Sequence, residues 1–315
     1  RGAVDMNFDG LPKRAHIREV CPRDGFQSVK DFIPTEKKLE FIEAMIAAGI
    51  REMEVTSFVS PKAIPQLADS AEVLSAVKAR CGDAVRLVAL VPNVKGAERA
   101  LAGGADCLNY VFSASESHNR ANLNRSVDES LAGLADVIAL AKGKAELSVS
   151  IATSFMCPFE GRTAPARVTD LMGKALDMGA DGICLAETIG TCNPLLFSET
   201  LAAVRSRFGD YPIYLHIHDT FGMALLNVKA ALDLGYSRFD AAIGGLGGCP
   251  FAPGAAGNAA TEDLVFFLNG IGVETGMDAA SLVNVARSLQ DYGLRTLGHL
   301  VVSSFGREKE GCCGA

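Results

Sequence analysis

Two histidines one residue apart, in the run His216-Ile217-His218-Asp219, are the residues of this chain best placed to do chemistry. On an extended strand, residues two apart point to the same face, so both imidazoles can reach a single ion. The plainer alternative is two separately hydrogen-bonded polar histidines. Context favours the ion. Arg23-Asp24-Gly25 offers a carboxylate, and Asn258 offers an amide oxygen just ahead of an expected helix. Asp24, His216, His218 and Asn258 make a mixed, fairly hard ligand set suited to Mg²⁺ or Mn²⁺, with Zn²⁺ as a third option and positions left open for water or substrate.

Arg23, beside Asp24, is either half of a structural ion pair or a fixed cation that could stabilise an enolate oxygen as charge develops. Glu54 lies inside a strand-like run; if that run alternates, Glu54 and Thr56 face inward, and a buried carboxylate requires a partner, for which Arg23 is the natural choice. Glu187, in Ala186-Glu187-Thr188-Ile189-Gly190, is expected to bind a substrate hydroxyl or a metal-bound water, or else to form a salt bridge across the rim. The glycine-rich run Gly244 to Pro250 allows close backbone approach to a ligand, or movement as a lid, or is merely a connector. It carries Cys249, a thiol able to transfer a proton or simply a small apolar residue.

These groups need a scaffold that brings them together. Eight short apolar runs, beginning at His16, Glu52, Val85, Cys107, Leu147, Gly182, Ile213 and Arg238, alternate with amphipathic runs such as Thr35 to Ala48, with Thr35 as its expected cap. Eight βα units form either an open doubly wound sheet or a closed barrel. The polar residues cluster at the ends of the first, second, sixth, seventh and eighth runs, and a (β/α)₈ TIM barrel would gather all of these at one rim. The expected organisation is one barrel domain over 1–315, with the barrel at about 16–272 and a C-terminal extension and tail at about 273–315. Asp278 to Leu294 reads as an additional C-terminal helix packed outside or over the rim.

Composition narrows the function classes. The 315 residues are 49% hydrophobic and 21% charged, enough to bury a large core. A net charge of -7, no tryptophan and no long basic run argue against nucleic acid as a partner. No run reaches the roughly 18 apolar residues of a membrane span. Nine irregularly spaced cysteines fit a reducing compartment, the bacterial-type cytoplasm, or the mitochondrial matrix if the chain is a processed eukaryotic one. An arginine at position 1 points to processing or trimming. Cys312 and Cys313 are adjacent thiols in a glycine-rich tail, either redox-active or inert.

Arg23-Asp24-Gly25, the run Thr56 to Lys62, His216-Ile217-His218-Asp219-Thr220 and Gly247-Gly248-Cys249-Pro250-Phe251 together resemble the 3-hydroxy-3-methylglutaryl-CoA lyase family, over roughly Ile17 to Leu268. That family is one of a group of metal-dependent barrel lyases and Claisen-type synthases that includes isopropylmalate synthase. The resemblance implies Asp24, His216, His218 and Asn258 as metal ligands, Arg23 as the enolate-stabilising cation and Cys249 as a mobile thiol needed for turnover. It implies that Glu54 holds Arg23, and that Gln27 and Ser57 line the acyl end of an acyl-CoA thioester. The implied reaction is retro-Claisen cleavage, giving acetyl-CoA and acetoacetate from the family substrate, by a homodimer.

The chain departs from the family pattern where the acyl group should sit. Glu187 stands in place of aspartate and Cys184 in place of serine, both at substrate-facing positions; the extra methylene displaces the carboxylate by about 1.5 Å, and a thiol is a poor donor. Ile151 to Met156 lacks the family's small polar and cysteine run, and Cys21 replaces a glycine. A relative acting on another branched 3-hydroxyacyl-CoA, such as citramalyl-CoA, is therefore a contender for the substrate. The competing classes are a synthase or aldolase on the same scaffold, disfavoured by the short tail after Leu294, and a non-catalytic binding barrel, disfavoured by intact Asp24, His216 and His218.

Overall fold

Apolar runs of strand length separated by crossover helices dictate parallel pairing. The computed structural model describes residues 10–248 and 257–303 and closes the runs into a barrel. Its strands are β1 (His16–Glu19), β2 (Glu52–Ser57), β3 (Arg86–Val91), β4 (Cys107–Ser113), β5 (Glu146–Ala152), β6 (Gly182–Glu187), β7 (Ile213–Ile217) and β8 (Arg238–Ala241). Each pairs in parallel with its sequence neighbours, and β1 pairs with β8 to complete the ring. The expected (β/α)₈ barrel is therefore present, and an open sheet is excluded.

The helices are α1 (Thr35–Ala47), α2 (Ser70–Cys81), α3 (Val94–Ala102), α4 (Glu116–Leu123), α5 (Val127–Ala141), α6 (Pro165–Met178), α7 (Pro194–Phe208), α8 (Ala224–Asp233), α9 (Thr261–Gly270), α10 (Ala279–Asp291) and α11 (His299–Val302). Their starts follow capping chemistry: Asn93 accepts from Gly96 N, Asn193 accepts from Leu196 N, and Ser126 with Glu129 forms a reciprocal capping box. Thr35 does not cap α1; it is the first helical residue, and its hydroxyl donates to Asp69 Oδ2 at 2.9 Å. The expected extra helix is α10, capped by Asp278, and it packs against both α1 and α9, filling the place in the outer layer between the last barrel helix and the first. The short α4 and the hairpin pairing Met156–Cys157 with Gly161–Arg162 escape sequence reading, because neither is long enough to show a period.

The strands divide their two faces sharply. Ile17, Met53, Leu87, Leu108, Val149, Leu185, Leu215 and Phe239 are fully or almost fully buried in the apolar layer beneath the helices, each stabilising the fold by about 1.5–3 kcal/mol. Their strand neighbours Arg18, Glu54, Asn109, Ser150, Cys184, His216 and Asp240 carry the polar groups of the interior. This barrel is thus filled in its middle by hydrogen-bonded polar groups rather than by aliphatic layers.

Two local irregularities aim the functional residues. A register shift between Glu54 and Thr56 inserts one extra residue into β2, and such a bulge reverses the alternation. Glu54 faces inward, but Thr56 does not: its hydroxyl donates to Ser70 Oγ of α2 at 2.8 Å, correcting the expectation that both face inward. Similarly, β1 stops at Glu19 instead of Cys21, and Cys21–Gly25 forms a single π-helical turn in which the Val20 carbonyl accepts from Asp24 N at 2.7 Å. That turn swings Arg23 and Asp24 over the barrel mouth. Glycine at position 25 suits the turn, because a Cβ there would stand 3.0 Å from Leu246 Cβ, a tight contact.

Glu262, in the first turn of α9, is fully buried, with Oε2 accepting from Gly244 N at 3.0 Å and Oε1 without a hydrogen-bond partner. Burial, and then the nearby Asp263 and Glu19 charges, push its carboxyl from the usual 4.5 to about 8 against the pull of the Gly244 amide. A folded-state value raised above the unfolded one gives stability that is present below the unfolded value and lost as pH rises through the folded value. Glu262 should therefore contribute a loss of stability between pH 4.5 and 8. We expect Glu262→Gln to be less stable than the parent at pH 5, with the gap in Tm narrowing by at least about 2 °C at pH 8.5. Thermal melts at the two pH values decide it: a gap independent of pH would mean that Glu262 does not titrate in this window.

Candidate metal centre and active site

His216 comes from β7, His218 follows its last residue, and Asp24 arrives from the π-turn. The strand alternation delivers what the His-x-His spacing promised. Ligand atoms of Asp24, His216 and His218 lie within 4.8 Å of one another, and among the described residues they are the one group of three or more such side chains able to hold a metal ion. His216 Nε2 is 3.1 Å from His218 Nε2 and 3.8 Å from Asp24 Oδ2. His218 is buried and packs through its backbone: His218 N donates to Glu187 O, and His218 and Asn258 form an isolated bridge.

Charge is arranged for an additional cation. Burial alone would raise Asp24, but Arg23, then the two imidazoles and the Asn258 amide overcome it and hold the carboxyl at about 2. Burial, with His216 next, pushes His218 down to about 3, so this imidazole is neutral and offers a lone pair at any physiological pH. The Nε2 atoms of His216 and His218 face each other at hydrogen-bonding distance, where two lone pairs repel unless a proton or a cation lies between them. The surrounding ion pairs supply two guanidiniums, Arg18 and Arg23, against three carboxylates, Asp24, Glu54 and Asp240, leaving the cluster short of positive charge. The residues fit a divalent ion on both counts.

Arg23 donates from Nε to Glu54 and from Nη1 to Asp24. Glu54 is held in turn by Asn109 Nδ2 at 2.6 Å, and Ser150 Oγ donates to Asn109 Oδ1 at 2.9 Å. Glu54 therefore meets the expected pairing and lies behind Arg23, outside the cavity lining. The cavity has a volume of about 310 Å³ and is lined by Arg23, Asp24, Gln27, Asn109, His118, Ser150, Cys184, His216, His218 and Asp240, with Leu90, Val111, Ala152 and Ala186 as apolar wall.

Other expected residues sit differently. Asn258 presents its amide nitrogen, not its oxygen, donating to Asp24 Oδ2 at 2.8 Å and to Leu246 O at 2.9 Å. As placed, its nitrogen orients the carboxylate, and the expected oxygen ligand is reached by turning the amide over. Gly247, at φ +134°, leaves the space that the Asn258 amide occupies. Glu187 does not face the cavity: Oε2 accepts from Gly190 N at 2.6 Å and Oε1 accepts from Thr191 N and Cys192 N at 3.2 Å each, and burial raises it to about 7. The longer side chain folds back onto the loop after β6, which replaces the expected substrate contact. Ser57 is buried and outside the cavity lining, whereas Cys184 lines the cavity with a thiol that burial pushes well above its usual value. Cys249, like Cys312 and Cys313, lies outside the described residues.

Asp240, Arg18, Asn109 and Ser150 escaped the sequence reading. A signal existed for the first two: a lone acid in Arg238-Phe239-Asp240-Ala241 and a lone base in His16-Ile17-Arg18-Glu19 each needed a buried partner, and β1 and β8 are adjacent only after the barrel closes.

The model of the family described as HMGL-like matches residues 14–289. The mitochondrial hydroxymethylglutaryl-CoA lyase of Rattus norvegicus is 41% identical over 285 residues, 90% of this chain and 87% of that protein. Among solved structures, the HMG-CoA lyase of Bacillus subtilis superposes with a TM-score of 0.89 at 38% identity, covering 92% of this chain and 98% of that one. An Acinetobacter baumannii HMG-CoA lyase in complex with coenzyme A and 3-methylmalate gives a TM-score of 0.88 at 41% identity, covering 95% and 97%.

Removing one imidazole leaves two of the three converging ligand atoms. We expect His216→Ala to lower Mn²⁺ affinity at least about 100-fold, judging from the loss that even outer-shell changes cause. Titration of metal-stripped protein followed by Mn²⁺ electron paramagnetic resonance measures it, and retention of parental affinity would remove His216 from the ligand set.

Proposed function

The chain belongs to the HMGL-like family, and from that premise we propose that it is a metal-dependent carbon–carbon lyase performing retro-Claisen cleavage of a branched 3-hydroxyacyl-CoA, such as 3-hydroxy-3-methylglutaryl-CoA, to acetyl-CoA and a keto acid. The observation that carries the reading is the convergence of Asp24, His216 and His218 beside Arg23 in one cavity. The relative solved with coenzyme A and 3-methylmalate supports a thioester substrate with a branched acyl group.

Asp24, His216 and His218 hold the ion, Mg²⁺ or Mn²⁺ by the hardness of the set. When bound, the ion supplies Lewis-acid polarisation of the substrate's hydroxyl and carbonyl oxygens. The protein's own groups do the rest. The substrate's C3 hydroxyl gives up its proton to the Asp24 carboxylate; the C2–C3 bond then breaks, C3 becomes a ketone, and the electron pair passes to the thioester as an enolate. Arg23, anchored by Glu54 and Asp24, presents its remaining N–H groups to the enolate oxygen, a preorganised contact that costs no reorganisation during reaction. Cys249 returns a proton to C2, completing acetyl-CoA. Gln27 and Cys184 lie in the cavity wall and contact the acyl group, and the family resemblance implies a homodimer. Among the described residues no helix is long and apolar enough to cross a membrane.

A second substrate reading, citramalyl-CoA, is favoured by one observation: Cys184, at a position where the family carries serine, is in the cavity lining. Incubation of the Mg²⁺-loaded protein with a panel of 3-hydroxyacyl-CoA thioesters should release acetyl-CoA, and EDTA should stop the release. Condensation of acetyl-CoA with a 2-oxoacid, and no cleavage across the panel, would mark a synthase instead. Arg23→Met should lower kcat by about 10²–10³; unchanged kcat would strip Arg23 of its role.

A further inference from the structure

Three polar residues of adjacent strands occupy one row of the barrel. In the strand register Arg18 of β1 pairs with Asp240 of β8, and Asp240 pairs with His216 of β7. Parallel neighbours in register present their side chains to the same face at the same height, so the three meet inside the barrel, with Asp240 between Arg18 and the ligand His216. Arg18 grips Asp240 with two parallel bonds, Nε to Oδ1 and Nη2 to Oδ2, both 2.8 Å. The Tyr214 ring lies 4.4 Å from the Arg18 guanidinium, and Arg18 is 1% exposed. The fork fixes the plane of the carboxylate, leaving Oδ2 facing His216 Nδ1 at 3.3 Å.

We propose that Asp240 is a positioning residue that selects the tautomer and the orientation of His216, with Arg18 as the group that fixes Asp240; this rests on the assignment of His216 as a metal ligand. A carboxylate can only accept, so His216 Nδ1 carries the proton and Nε2 keeps its lone pair. That nitrogen is the one directed at Asp24 Oδ2 and His218 Nε2. A hydrogen bond from a ligating imidazole to a carboxylate also raises the basicity of the ring, and partners of this kind typically govern metal affinity by 10–100-fold. The bidentate clasp explains why Asp240, although next to His216, is not itself a member of the converging ligand group: both its oxygens are turned to Arg18.

The experiment reads the tautomer in metal-free protein, so it stands apart from catalysis. Long-range ¹H–¹⁵N spectra of histidine-labelled protein, with the His216 signals identified by their loss in His216→Gln, should show the Nδ1–H form in the parent. Asp240→Asn should move His216 towards the Nε2–H form and weaken Mn²⁺ binding by about 10–100-fold. Because Asp240→Asn leaves Arg18 buried without its counter-ion, Arg18→Met/Asp240→Asn is measured alongside it and should show the same two changes in a folded barrel. An unchanged Nδ1–H tautomer in the folded double variant overturns the proposal, even where Mn²⁺ affinity falls, since the pair would then be structural. A shifted tautomer with Mn²⁺ affinity within twofold of the parent overturns it also. A parent protein that binds no Mn²⁺ would refute the metal reading, and the spectra would still decide what Asp240 does to His216.

Discussion

Ionised groups buried inside a barrel must be paired, and nearly every feature of this site follows from how the pairing is done. Isolated burial of one carboxylate would cost several kcal/mol. Here Glu54 is satisfied by Arg23 and Asn109, Asp240 by Arg18 and His216, and Asp24 by Arg23 and Asn258. The chain of contacts running from Arg23 through Glu54 and Asn109 to Ser150 crosses three strands and the turn after β1. Because each member has its donors or acceptors committed, none of these side chains can reorient without leaving another unsatisfied. Rigidity at Arg23 and His216 is thus a consequence of electrostatic compensation, and it is the kind of preorganisation that a developing enolate charge needs.

The polar interior divides stability from function by face. The apolar residues of each strand pack outward under the helices, so cohesion comes from the layer between sheet and helix. The interior is released from that task and can hold a cavity of about 310 Å³. The loops are then tethered individually. Glu187 clamps the loop after β6 by three backbone amides, and Gly190, at φ +69°, lets that loop press against Thr220 after β7. Glu187 is thereby a loop anchor, its carboxylate long enough to fold back onto its own following amides.

The C-terminal segment is tied to the barrel on similar terms. Asp263 accepts from His299 N at 2.6 Å and from Leu300 N at 2.9 Å, and Leu297 N donates to Gly244 O at 2.7 Å. The segment entering α11 therefore buttresses the turn after β8, which leads into Gly247 and the stretch carrying Cys249.

The sequence by itself determined the eight-unit alternation, the shared face of His216 and His218, and the pairing of Arg23 with Glu54, because each depends on a local period or on the plain need of a buried charge for an opposite one. The four motifs also pointed to the family without coordinates. What only the tertiary structure decided is whatever depends on ring closure or on a break in a period. Arg18 and Asp240 are 222 residues apart and become neighbours only when β1 pairs with β8. The bulge in β2 reversed Thr56, the π-turn cut β1 short, and Glu187 turned away from the cavity, since a one-residue insertion or a single methylene changes direction without changing hydrophobic pattern. Composition fixes which residues can meet; the register of a closed barrel fixes which of them do.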